Sequence, residues 1–85
     1  MNWQLQIADR ARKTLARLPA NDRDRVMAAL DAMLSDPFGG DIVRLKEQPT
    51  AWRRRVGSYR IFFDVYLERR IVDVVAIARR TSTTY

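Results

Sequence analysis

Between Trp52 and Arg80 the chain reads WRRRVGSYRIFFDVYLERRIVDVVAIARR, a run of β-branched and aromatic residues broken only by short polar turns. Such runs pack well on a pleated, half-buried surface and poorly elsewhere. The spacing predicts three strands, Trp52 to Gly57, Tyr59 to Tyr66 and Ile71 to Ala78, with Leu67-Glu68-Arg69-Arg70 as a hairpin turn. Connections this short force neighbouring strands to run antiparallel. Alternate residues of a strand share a face. Tyr59, Ile61, Phe63 and Val65 therefore form an apolar face, and Arg60 projects from the other side. In the preceding strand Arg53 and Arg55 share one face, with Trp52, Arg54 and Val56 on the opposite one. Once the apolar sides meet a common core, Arg53, Arg55 and Arg60 converge on the open side of the sheet. Ala78-Arg79-Arg80 brings further cations to the same edge.

The first half follows a different period. Trp3, Leu5 and Ile7 alternate with polar residues, which predicts a strand over Asn2 to Ile7. Ala8, Ala11, Leu15 and Leu18 fall at spacings of three and four, one apolar helix face that Pro19 ends. Asn21 is expected to cap a second helix whose buried stripe is Val26, Leu30, Met33 and Leu34. Asp36-Pro37-Phe38-Gly39-Gly40 stops it. The predicted order is β-α-α-β-β-β: an α+β fold with a helical hairpin packed on one face of a mainly antiparallel sheet. At 85 residues the chain has room for a single domain, residues 1–85. It closes on the polar Thr81-Ser82-Thr83-Thr84-Tyr85.

Charge narrows the function. The net charge is +6, and apart from Lys13 and Lys46 every basic residue is arginine. Guanidinium groups make planar, bidentate phosphate contacts and stack on bases, so the expected ligand is a polyanion. Histidine and cysteine are absent and the carboxylates are spread singly, so no metal site or cofactor is expected. Asp22 and Asp24 suit a helix start, and Gly39-Gly40 lacks the Lys-Ser/Thr pair of a phosphate loop. No run reaches the roughly 20 apolar residues of a membrane span, and basic residues follow the first apolar patch rather than precede it. The expected location is the cytoplasm. Arg54 breaks the pattern, standing where an apolar residue belongs. It is expected to snorkel to the sheet edge or to pair with Asp64 or Asp73.

The ordered set of KTLARLP, LSDPFGGDIVRLK, WRRRVGSYRIFFDV and VVAIARRTSTTY resembles the RelE/ParE superfamily of bacterial type II toxins over nearly the whole chain. Its most specific piece is R-x-R-x-G-x-Y-R, followed by a strand and an Arg-Arg pair. The resemblance implies a toxin held by a cognate acidic antitoxin. RelE-like members cut mRNA, often on the ribosome, whereas ParE-like members inhibit DNA gyrase without the full nuclease set. By motif, Arg60 matches the residue that holds the scissile phosphate, Arg80 the arginine after the last strand and Tyr85 the C-terminal tyrosine. Arg53 and Arg55 match the basic pair on the strand before, and Lys46 and Arg79 are expected to add RNA contacts. Lys46 and Glu47 are the substitute bases should Tyr85 not serve. The implied chemistry is metal-independent endoribonuclease cleavage, in which a 2′-OH attacks its own phosphate. A non-catalytic basic nucleic-acid-binding module is the remaining alternative.

Overall fold

The computed structural model of the protein describes residues 2–48 and 50–79. Its elements run β1 (Gln4–Ile7), α1 (Asp9–Arg17), α2 (Ala20–Met33), β2 (Ile42–Arg44), β3 (Trp52–Val56), β4 (Tyr59–Tyr66) and β5 (Ile71–Arg79). The strands form a five-stranded sheet in the order β1-β5-β4-β3-β2. Every neighbouring pair is antiparallel except β1 with β5, which is parallel. The α+β reading holds, with one strand more than expected. Three residues of Ile42-Val43-Arg44 are too few to show a period, yet they pair with Arg54, Arg53 and Trp52 and so widen the sheet.

Both helices lie on one side of the sheet. Ala11 and Leu15 of α1 and Val26, Ala29, Leu30 and Met33 of α2 are buried against Tyr59, Ile61 and Phe63 of β4 and Val72, Val74 and Ile77 of β5. Ile61 and Phe63 lose all solvent contact, each worth about 1.5–3 kcal/mol of apolar transfer. Trp52, Val56 and Val65 close the margin of this core.

Asn21 does not cap α2. The helix already begins at Ala20, and Arg23 N–H donates to the Pro19 carbonyl at 2.8 Å, so Asn21 lies inside the first turn. Two features set the start of β4. The β3–β4 turn is Gly57-Ser58, with Gly57 at φ +58°, in the left-handed region that glycine adopts without strain. At the same end the Tyr59 hydroxyl donates to Asp22 Oδ2 at 3.3 Å, tying β4 to the first turn of α2.

Candidate phosphate-binding face

No element of the described chain covers the second face of the sheet, and its composition follows from the register. Arg53 is opposite Phe62 and Val43, and Arg55 is directly opposite Arg60. On the far side of β4, Phe62 pairs with Ala76 and Arg60 with Ala78. Directly opposite residues share a face with Cβ atoms about 4.5–5.5 Å apart. Arg53, Arg55 and Arg60 therefore converge, as their spacing predicted. The two alanines keep β5 low beside them, giving a shallow trough walled by guanidinium groups.

The electrostatics of this trough are unbalanced. Like charges directly opposite in a ladder destabilise a sheet, yet among the described residues no carboxylate offsets the Arg55–Arg60 pair. Among the described residues the one ion pair, Arg12 with Asp9 at 3.8 Å, lies on α1. Arg60 is half-buried, and its Nε is buried without a hydrogen-bond partner. An unmet buried donor costs about 1–3 kcal/mol. An anion on this face would relieve both the repulsion and the unmet donor. The acidic groups of the face sit apart: Asp64 and Asp73 oppose each other toward the β4–β5 hairpin. Asp64 Oδ1 also accepts from Ala51 N–H at 2.7 Å. The face is thus cationic at one end and acidic at the other, which orients a polyanion toward the arginines.

The remaining candidates divide. Arg79 does not join the trough, because β5 carries a bulge. Phe62 pairs with Ala76 but Phe63 with Val74, so Val75 is extra and the alternation slips by one. Arg79 then stands opposite Tyr59, on the helix side, and Ala78 takes the open face. The bulge is secured by Arg10, whose Nε donates to the Val75 carbonyl at 3.1 Å. Lys46 and Glu47 are exposed in the connection leading into Trp52, at the opposite end of β3 from Arg55. Three residue steps of strand, about 10 Å, separate that end from Arg60. Arg80 and Tyr85 lie outside the described residues. Arg54 pairs with neither Asp64 nor Asp73, which occupy the other face. It sits opposite Ile61 and Ile42 on the helix side.

Phe62 is the candidate that the sequence reasoning missed. Half-buried on the open face beside Arg53, it offers an aromatic surface for a base. The alternation that sent Arg60 outward sends Phe62 outward too, so the signal was present. Among the described residues, no group of three or more His, Cys, Asp or Glu side chains is placed to hold a metal ion. None of their helices is long and apolar enough to cross a membrane.

With this geometry in place, comparison with known proteins defines the family. The family model of the ParE toxin of type II toxin-antitoxin systems matches residues 5–83. A Methanocaldococcus jannaschii protein provisionally named toxin RelE1 is 28% identical over 83 residues, covering 94% of this chain and 92% of its own. The RelE–RelB complex of Pyrococcus horikoshii superposes with a TM-score of 0.85 at 20% identity, covering 98% of this chain and all of that one. The isolated RelE toxin of E. coli gives 0.78 at 20% identity, covering 95% and 87%. The chain belongs to the ParE toxin family and, more broadly, is a type II toxin of the RelE/ParE superfamily.

Proposed function

We propose that this toxin is an mRNA-cleaving endoribonuclease that acts on ribosome-bound message without a metal ion and is silenced by an acidic antitoxin. The observation that carries the reading is the Arg55–Arg60 pair: two guanidinium groups directly opposite on an open face, unpaired with any carboxylate of the described residues, one with a buried unmet donor. A phosphodiester is the anion that single-stranded RNA offers to such a face.

In the proposed reaction a base takes the proton of a ribose 2′-OH, whose oxygen attacks the adjacent phosphorus. The bond to the 5′-oxygen breaks and that oxygen takes a proton, leaving a 2′,3′-cyclic phosphate and a 5′-OH end. Arg60 stabilises the charge developing on the non-bridging oxygens. Arg53 and Arg55 align the backbone, and Phe62 receives a base. Arg80 assists at the phosphate or the leaving oxygen, and Tyr85 serves as base. The need for a 2′-OH makes RNA the substrate. The lack of histidine and cysteine in the chain supports cleavage without a metal.

The antitoxin half rests on the +6 charge and on the solved RelE–RelB complexes of similar fold. Its affinity is expected to weaken with added salt. A second reading, gyrase inhibition without nuclease activity, is favoured by the ParE family match itself. Purified toxin tested on ribosome-bound mRNA and, in parallel, in a gyrase supercoiling assay separates the two. Site-specific mRNA cuts with unaffected supercoiling support the nuclease. Intact mRNA with blocked supercoiling supports the inhibitor.

A further inference from the structure

Arg54 is the other guanidinium whose donors go unmet. It stands on the covered side of β3, where its neighbours in the strand, Trp52 and Val56, pack against the core. Its Nε and Nη1 are buried and find no hydrogen-bond partner. The chain's own carboxylates do not serve it. Asp64 is on the opposite face and holds Ala51 N–H, Asp36 Oδ1 accepts from Phe38 N–H at 3.0 Å, and no ion pair forms at Arg54 among the described residues. The group lies against Gly40, at φ +81°. A Cβ there would come within 2.7 Å of Arg54 Cζ and Nη2, so the glycine is what leaves room for the cation. Arg54 as a whole is half-buried, and its Nη2 is not among the buried unmet atoms.

The surroundings say what reaches it. β2 is an edge strand, paired on one side only. Arg55 N–H donates to the Asp41 carbonyl and Leu45 N–H to the Ala51 carbonyl. By the alternation of an antiparallel ladder, the Ile42 carbonyl and both backbone groups of Arg44 then turn to the free edge, while the Ile42 N–H donates to the Gly40 carbonyl at 3.1 Å. Arg44 adds a second cation on the same side, 5.3 Å from the Trp52 ring centre. An extended polypeptide could pair with this edge and present alternate side chains toward Arg54.

We propose that Arg54 is a receptor for a carboxylate side chain of an acidic polypeptide bound along the β2 edge. A carboxylate matches a guanidinium in charge and shape. RNA is disfavoured because the unpaired arginines of the open face lie on the other side of the sheet. The inference deepens the antitoxin half of the proposed function and rests on it, naming where an acidic partner is gripped.

The test is titration of the purified toxin, followed through its arginine Nε–H resonances. The probes are the peptide acetyl-Thr-Val-Glu-Val-Thr-amide, its Glu-to-Gln counterpart and dimethyl phosphate. The Glu peptide should shift the Arg54 signal saturably, and the Gln peptide should bind at least tenfold more weakly. Arg54→Met should remove that difference without lowering the melting temperature. Arg54→Lys, which keeps the charge and loses the fork, should bind the Glu peptide with intermediate affinity and covers the case in which Arg54→Met does not fold. Equal affinity for the two peptides, or an Arg54 shift as large with dimethyl phosphate, overturns the proposal. These outcomes are independent of the mRNA and supercoiling assays, so the failure of either reading leaves the other to be judged separately.

Discussion

Arg54 and Arg60 stand on neighbouring strands of one sheet, and both carry buried donors without partners, yet they face opposite ways. Arg60 looks onto an uncovered surface, faces a like charge across the ladder and has alanine beside it. Arg54 looks toward the helices, lies against a glycine and has apolar neighbours in its own strand. The contrast teaches that an unmet arginine is defined by the space around it rather than by its sequence motif. Open space with convergent cations suits a phosphodiester that must also move and react. A covered guanidinium beside an edge strand suits a single carboxylate that stays bound.

The comparison between the two faces is most sharply broken by exchanging effects between adjacent phenylalanines. Phe63, fully buried, should cost about 3–5 kcal/mol as Phe63→Ala, measured by chemical denaturation. Phe62→Ala should leave the midpoint nearly unchanged and instead weaken single-stranded RNA binding by about 1–3 kcal/mol in a fluorescence titration. Should Phe62→Ala unfold the protein, or bind RNA like the parent, the open face is not a stacking surface.

Smaller effects are expected at the turn that joins the two arginine strands. Gly57→Ala places a side chain at φ +58° and should destabilise by about 1–2 kcal/mol, read as a fall in the denaturant midpoint. Arg25 Nη1 lies 3.6 Å from the added Cβ, an ordinary contact, so the loss should come from the backbone rather than from a clash. Smallest is Asp22→Ala, which removes the acceptor of the Tyr59 hydroxyl and should cost about 1 kcal/mol by the same measure.

Much of this was legible before any coordinates. The period of two over Tyr59 to Val65 is long, and each apolar residue on it found the core or its margin, which is why Arg60 could be placed outward. The helix stripe of Val26, Leu30 and Met33 was equally plain. What failed did so for local physical reasons. β2 is too short for a period to show, and its pairing is decided by β3 rather than by its own residues. The bulge at Val75 depends on a long-range bond from Arg10, and no spacing in β5 announces it. That single slip is what moved Arg79 off the arginine face. The placement of Arg54 required Gly40 and β3 to meet, a contact between residues fourteen apart that composition does not encode.

The central claim is that Arg60 acts on a phosphodiester rather than merely standing on a solvated strand, and one variant addresses it most directly. Arg60→Ala should melt at or above the parental temperature, because it opens no core cavity and relieves the Arg55–Arg60 repulsion. On ribosome-bound mRNA its single-turnover cleavage rate should fall about 100- to 1,000-fold, the usual cost of one preorganised donor to a transition-state oxyanion, about 2.7–4 kcal/mol. A variant that melts like the parent and cleaves at the parental rate contradicts the account.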